Sequence, residues 1–115
     1  MNKISIDSAE HYAWGDGCDG WILLDGDDLT VVEECVPAGK SEARQRHAAA
    51  REFFYVLQGE ATLEVDGHMH VLSTRQGMHV PPGVAHQLRN TGNTDVRFLV
   101  VSSPDNDGDR RRTPA

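Results

Sequence analysis

Two stretches of the sequence carry side chains whose types and spacing suit metal chemistry. In the first, QRHAAARE, Gln45 and His47 stand two positions apart, and Glu52 follows His47 by five positions. Residues two apart on a strand point to the same side, so Gln45 and His47 are expected to project from one face. Glu52 opens the apolar run Phe-Phe-Tyr-Val-Leu, where an ionised carboxylate is costly unless it is paired, protonated or bound to a cation.

The second stretch, GMHVPPGVAHQLRN, supplies another imidazole. Its Pro-Pro-Gly turn delivers His86 to the start of a further strand. A barrel that brings these strands together would place His47, His86, Glu52 and Gln45 side by side. Two imidazoles and one carboxylate form the ligand set of non-haem iron sites that leave positions open for water or substrate. The alternative is a metal-free site in which His47 and Glu52 only hydrogen bond to each other.

The elements that must position these groups read as short strands separated by turns. Asp66-Gly67 and Pro81-Pro82-Gly83 are typical turn sequences, and residues 42–51 lack the apolar stripe of a helix. Strands of this length and spacing predict an all-β antiparallel sandwich or small barrel. The predicted strands span residues 21–24, 29–36, 52–58, 61–65, 69–72, 87–88 and 96–101. The sequence does not show which face of the strands at 29–36 and 96–101 points inward.

The clearest local element is the hairpin ATLEVDGHMHVL. Its Asp-Gly pair is favoured in a type I′ turn, because both central positions need a positive φ. This register pairs Val65 with His68 and Leu63 with His70 on one face. We interpret these two histidines as covering a half-buried sheet face rather than as metal ligands.

Both stretches resemble the motifs of the cupins. The first motif, G-X5-H-X-H-X3-4-E-X6-G, is matched with Gln45 in place of the first histidine, through Gly39, His47, Glu52 and Gly59. The second motif, P-X-G-X2-H-X3-N, is matched through Pro81, Gly83, His86 and Asn90. A glycine expected at Arg75 is found instead at Gly77.

The resemblance implies a double-stranded β-helix, a jelly-roll β-barrel whose open end holds one divalent metal. It also implies that His47, Glu52 and His86 are ligands of that metal, and that the chain forms a homodimer. The barrel is expected over residues 21–103. Residues 1–20 are expected to form an N-terminal segment that packs across the partner barrel, and residues 104–115 a polar C-terminal tail.

Gln45 is the departure from the motif. Its amide oxygen is a harder and weaker donor than an imidazole nitrogen. It can act as a long fourth ligand, or it can hold a metal-bound water. Either role favours iron, manganese or nickel over zinc. The alternative is that Gln45 marks a decayed site that no longer binds metal.

Odd and even positions along a strand point to opposite faces, and this parity extends the prediction to residues around the site. Phe54, Val56 and Leu88 share the parity of the ligands and are predicted to line an apolar cavity, although filling of the core explains them equally well. Phe53 and Tyr55 face away from Glu52 and are predicted to be core residues.

Charge and cysteine usage exclude several classes of partner. The formal net charge of −7 disfavours binding to nucleic acid or to an anionic membrane surface. The basic run Arg110–Arg112 follows three nearby aspartates and is predicted to be solvated.

Cys18 and Cys35 match no zinc motif and are predicted to be free thiols. No apolar stretch has the length of a signal-peptide core or a membrane span, so the cytoplasm is the expected location.

Three functions fit these observations. The first is a metal-dependent enzyme that acts on a small organic molecule by dioxygenation, isomerisation or lyase chemistry, with Glu52 also serving as a proton acceptor. The second is a binding or sensing module for a small ligand, with or without metal, that performs no turnover. The third is a metal-free structural relic. Only turnover separates the first from the second.

Overall fold

The structure, a computed structural model, describes residues 2–104 and 110–112, and it confirms the predicted all-β fold. Within that part of the chain there are strands and turns but no helix, and therefore no helix with the length and apolar character needed to cross a membrane. The strands are Glu10–Trp14 (β1), Cys18–Asp25 (β2), Thr30–Val36 (β3), Gln45–His47 (β4), Arg51–Gln58 (β5), Ala61–Val65 (β6), His68–Leu72 (β7), Gly77–Val80 (β8), His86–Arg89 (β9), Val96–Ser103 (β10) and Arg110–Arg112 (β11).

The strands form the two antiparallel sheets of a jelly roll. One sheet has six strands in the order β1-β2-β3-β10-β5-β8, and the other has five in the order β11-β4-β9-β6-β7. Buried side chains from both sheets make one apolar cluster, which includes Phe54, Phe98, Leu63 and Leu88. This arrangement puts β4 and β9 in one sheet and β5 in the other, so side chains from the three strands can meet between the sheets.

The alternation of buried and exposed residues along β10 shows how the six-stranded sheet is built. Val96, Phe98, Val100 and Ser102 are buried, whereas the residues between them are only partly buried. β10 lies between β3 and β5, so its backbone is paired on both sides. The inward face that could not be assigned from the sequence is therefore the even-numbered one.

The predicted hairpin is confirmed. Val65 pairs with His68, and Leu63 pairs with His70. Asp66 and Gly67 have φ angles of 51° and 87°, as a type I′ turn requires. His68 is exposed and His70 is half-buried, which fits their interpretation as covering residues on the sheet.

The prediction for the outer face of β5 was wrong. Phe53 and Tyr55 do point away from Glu52, but Phe53 is 42% exposed and Tyr55 is only partly buried. Their rings stack on each other at a centroid distance of 6.4 Å on the outside of the sheet. Parity separates the two faces of a strand, but it does not show which face is covered.

Strands were found in both terminal segments. β1 pairs with β2 of the same chain, from Glu10 opposite Ile22 to Trp14 opposite Cys18, so pairing begins before residue 21. Packing of residues 1–20 across a partner barrel stays a prediction. β11 pairs with β4, although this run was expected to be a solvated tail. The rest of the predicted tail lies outside the described residues, apart from Pro104.

Cys18 and Cys35 are buried free thiols, as predicted. Asn90 is buried, and its side-chain amide donates to the carbonyl groups of Val36 and Thr94 over 2.9 and 2.8 Å. This residue of the second motif therefore holds together two neighbouring loops of the barrel.

Candidate metal centre

Three predicted ligands converge between the two sheets. His47 ends β4, Glu52 is the second residue of β5, and His86 begins β9. One ligand atom from each residue lies within 4.8 Å of the other two. Nε2 of His47 and Nε2 of His86 lie 3.1 and 2.8 Å from the same oxygen, Oε1 of Glu52. All three residues are buried, with exposures of 3 to 4%.

The chain segments around the second motif hold the two histidines in place. The N–H of Gly83 donates to the carbonyl oxygen of His47 over 2.7 Å, which fastens the proline turn to the end of β4. Nδ1 of His86 lies 3.0 Å from the carbonyl oxygen of Val84. Because a carbonyl only accepts, Nδ1 carries the hydrogen, and the lone pair of the neutral ring is on Nε2, which faces Glu52.

An ion pair anchors β4 from its other end. Arg44, immediately before this strand, donates from Nε and Nη2 to the two carboxylate oxygens of Glu64 on β6 over 2.8 and 3.2 Å. Glu64 is 3% exposed, so this two-point contact is protected from water. It ties the short strand that bears His47 to β6, which lies beyond β9 in the five-stranded sheet.

The electrostatics of the trio favour an ionised carboxylate. Burial alone would raise the pKa of Glu52, but the close contacts and charges of His47 and His86 outweigh burial and lower that pKa to about 2. Burial would likewise lower the pKa of His86, but the adjacent Glu52 raises it. A carboxylate with so low a pKa is a weak base, which suits a ligand better than the predicted proton acceptor.

These residues fit a divalent metal ion. Nδ1 and Nε2 of His47 are both buried, and neither makes a well-aligned hydrogen bond with the described part of the chain. Buried polar atoms are normally satisfied, so Nε2 of His47, which lies 3.1 Å from the carboxylate without a well-aligned hydrogen bond, indicates room for a further partner. Two imidazoles with one carboxylate are a recognised ligand set for transition metals.

Gln45 lies beside this trio. It is 6% exposed, it pairs across β4 and β9 with His86, and it lines the adjoining cavity. Its position is compatible with both roles considered from the sequence, the long fourth ligand and the partner of a metal-bound water. Its role stays a prediction.

A cavity of about 330 Å³ adjoins the trio, and Glu52, His86 and Gln45 form part of its wall. This volume is at the low end of the range for small-molecule sites. Phe54 and Leu88 line the cavity, as expected. Phe54 also packs edge-on against the ring of His86 at a centroid distance of 5.6 Å, so it helps to fix that ligand.

Val56 is not among the residues that line this cavity, and it fits the alternative considered from the sequence, filling of the core. It is fully buried and belongs to the apolar cluster between the sheets. Val56 and Phe54 share a face of β5, but Val56 lies one further repeat along the strand from Glu52. Strand parity identifies the inward face and cannot distinguish cavity wall from packed core along it.

The sequence reasoning missed an acidic part of the cavity wall. Glu34 on β3 and Glu42, which precedes β4, are 3% and 7% exposed and both line the cavity. The hydroxyl of Tyr12 on β1 donates to Oε2 of Glu34 over 2.6 Å. Burial, followed by the charge and hydrogen bond of Glu34, raises the pKa of Glu42 well above its ordinary value. We refer to Tyr12, Glu34 and Glu42 as the acidic end.

A signal for one of these residues was present in the sequence. Glu34 alternates with Val32 and Val36, which places all three on one face of a strand. Reading that face as the inward one would have placed Glu34 between the sheets. No comparable pattern surrounds Glu42 or Tyr12, whose burial depends on contacts with distant strands.

Comparison with known proteins supports the same fold. The family model described as "Cupin domain" matches residues 32–102. The structure of KdgF from Halomonas sp. has a TM-score of 0.85 at 19% identity and covers 94% of this chain and 97% of that one. The polyketide cyclase RemF from Streptomyces resistomycificus has a TM-score of 0.83 at 18% identity, with coverages of 100% and 87%.

Sequence relatives match shorter parts of the chain. An oxalate-binding protein from Thermotoga maritima is 32% identical over 66 residues, which cover 57% of this chain and 54% of that protein. For four curated relatives the matched share of their own length runs from 43% to 66%, so the chain covers less than two thirds of each. Because the family model spans more than half of the chain and the two sheets have the matching jelly-roll fold, the chain belongs to the cupin domain family.

Proposed function

We propose that this cupin binds one divalent transition metal through His47, Glu52 and His86 and uses the adjoining cavity for a small organic molecule. The observation that carries the proposal is the convergence of three buried ligand atoms within 4.8 Å, beside a cavity of about 330 Å³ that Glu52 and His86 help to line. Solved relatives with this fold include a protein named as a polyketide cyclase, and a curated relative is named as binding oxalate. Both names describe small-molecule chemistry.

The chain's own residues would prepare the site in three ways. The carbonyl of Val84 holds His86 in the tautomer that presents Nε2. Glu52 supplies the negative charge that partly neutralises a divalent cation. Phe54 and Leu88 form an apolar wall that excludes water from one side. A bound metal supplies Lewis acidity, which polarises an oxygen of the bound molecule for dioxygenase, isomerase or lyase chemistry.

The donor atoms support a preference among transition metals. The trio contributes two nitrogen atoms and one oxygen, and Gln45 adds an amide oxygen nearby where a cupin motif would place a further imidazole. This balance favours iron, manganese or nickel over zinc.

A binding or sensing role is the second candidate. The pKa of about 2 leaves Glu52 a weak base, and the chemistry of the metal alone does not require turnover. In this case the protein would hold the metal and the small molecule without converting it. Incubation of metal-loaded protein with candidate substrates, followed by product analysis, separates the two functions.

Elemental analysis of protein purified without a histidine tag tests metal binding. Wild type is expected to carry close to one transition-metal ion per chain, and His47→Ala to lose it. His79→Ala is the matched control, because His79 is exposed on β8, and it should keep the metal. Metal retained by His47→Ala, or gained by Gln45→His when wild type has none, would contradict the proposal.

Homodimer formation is a separate proposal. The outer face of β5 leaves Phe53 and Leu57 exposed at 42% and 39%, and a partner barrel would cover such a face. Light scattering at micromolar concentration is expected to give twice the mass of the chain. A clean monomer would rule out the dimer.

A further inference from the structure

The acidic end places two buried carboxyl groups in the cavity wall, neither of which belongs to the predicted set of metal ligands. Glu34 already accepts the hydroxyl hydrogen of Tyr12. Glu42 is 7% exposed, and its Oε2 makes no hydrogen bond with the described part of the chain. A buried polar oxygen without a partner is costly to a folded protein unless something else supplies the hydrogen. Because Glu42 lines the cavity, a bound ligand can supply it.

The charge of the cavity limits what that ligand can be. Two neighbouring carboxyl groups do not both ionise readily, so the pair holds a proton and keeps about one negative charge. Among the described residues that line the cavity, none is lysine or arginine. A carboxylate entering this end would therefore meet a like charge in a buried setting, with no cation from the chain beside it.

The same features favour a neutral hydroxyl over an ammonium group. The open oxygen belongs to Glu42, whose pKa burial raises, whereas Glu34 is already bonded to Tyr12; an ammonium group at that oxygen would lose its water without meeting a full negative charge. A hydroxyl group can donate to the open Oε2 without changing the charge of the pair. Trp14 also lines the cavity, and its ring offers a flat surface for the carbon skeleton of such a ligand.

We propose that Tyr12, Glu34 and Glu42 form a second recognition point in the cavity, which accepts a hydroxyl group of an uncharged ligand and rejects a carboxylate. The proposal rests on the proposed function in so far as the same cavity holds the small molecule. It narrows the ligand to a compound with a metal-chelating oxygen at one end and a hydroxyl group at the other. A dicarboxylate would be a poor ligand.

Three probes of nearly equal size test this recognition. Hydroxytyrosol, homoprotocatechuate and dopamine share a chelating catechol ring and differ in the tail, which ends in a hydroxyl, a carboxylate or an ammonium group. Each is titrated anaerobically by calorimetry into nickel-loaded and into metal-stripped protein. Wild type is expected to bind hydroxytyrosol ~10-fold more tightly than homoprotocatechuate, because a like-charge contact in a buried site costs at least that factor. Dopamine should bind less tightly than hydroxytyrosol.

Charge-neutralising variants assign the effect to the acidic end. Glu34→Gln/Glu42→Gln keeps the shapes of both side chains, and it should bring the affinities for hydroxytyrosol and homoprotocatechuate to within about 2-fold of each other. Glu60→Gln/Asp95→Asn is the matched control, since both residues are exposed and lie outside the cavity wall, and it should keep the wild-type ratio. If the double variant fails to fold, judged by circular dichroism, Glu34→Gln alone should reduce the ratio.

Several outcomes would overturn the inference. One is that wild type binds homoprotocatechuate or dopamine as tightly as hydroxytyrosol, or more tightly. Another is that Glu34→Gln keeps the wild-type ratio of the affinities for hydroxytyrosol and homoprotocatechuate. The last is that neither the nickel-loaded nor the metal-stripped protein binds any of the three probes. Failure of the metal site has a different signature. If nickel does not load but the metal-stripped protein still prefers hydroxytyrosol, the proposed metal function fails and the recognition point stands.

Discussion

Replacing Tyr12 by phenylalanine removes one hydroxyl group and leaves the aromatic ring in place. That hydroxyl donates to Oε2 of Glu34 over 2.6 Å, and Glu34 is 3% exposed. A hydrogen bond to a carboxylate contributes ~1.5–3 kcal/mol, and phenylalanine offers no donor to replace it. We therefore expect the free energy of unfolding to fall by about 2 kcal/mol. For a domain of this size that loss lowers the Tm by roughly 8 °C.

Urea unfolding followed by tryptophan fluorescence and circular dichroism measures this difference. Tyr55→Phe is the matched control, because Tyr55 lies partly exposed on the outer face of β5. The control should change the free energy of unfolding by less than ~0.5 kcal/mol, as most surface substitutions do. A loss as small as this in Tyr12→Phe would refute the reasoning, since the contact with Glu34 would then contribute nothing that water does not replace.

Further predictions concern pH and the second motif. The raised pKa of Glu42 means that its stabilising contribution is complete below the ordinary value of 4.5 and is lost as pH rises towards the folded-state value, so Glu42→Gln should gain stability relative to wild type as the pH is raised above 4.5, measured by urea unfolding. Metal affinity should fall on acidification, because protons compete for Nε2 of His86, whose pKa is raised above 6.5 by Glu52 despite burial, and competitive chelator titrations at several pH values measure this. Asn90→Ala removes the three hydrogen bonds of the side chain, to the carbonyl groups of Val36 and Thr94 and from the N–H of Gly92, and should lower the free energy of unfolding by about 3 kcal/mol, also measured by urea unfolding.

The sequence was sufficient to predict the parts of the site that depend on local periodicity. Gln45 and His47 were placed on one face because the alternation of side chains along a strand is independent of what the strand packs against. The Asp66-Gly67 turn set the register of its hairpin for the same reason, since its positive φ values come from those two residues alone. The shared face of Gln45 and His47 and the register of the hairpin needed no knowledge of the remaining chain. The meeting of His47, Glu52 and His86 was what the resemblance to the cupin motifs implied.

The features that were missed depend on contacts between distant segments. Tyr12 lies in a polar stretch, and it reaches the cavity only because β1 extends the six-stranded sheet beyond β2. Glu42 precedes β4 and is buried through neighbours from elsewhere in the chain, notably Glu34. Val56 shared the parity of Phe54, but its depth between the sheets could not be read from β5 itself. Burial of carboxyl groups is a tertiary property, which a pattern along one strand does not contain.

We propose above that His47, Glu52 and His86 hold one metal ion beside the cavity. A crystal structure of protein loaded with nickel or iron, with anomalous data collected at the metal absorption edge, tests it most directly. The account predicts a single strong anomalous peak about 2.0–2.3 Å from Nε2 of His47, Nε2 of His86 and an oxygen of Glu52. A loaded crystal with no peak there, or with its only peak at another position, would contradict it.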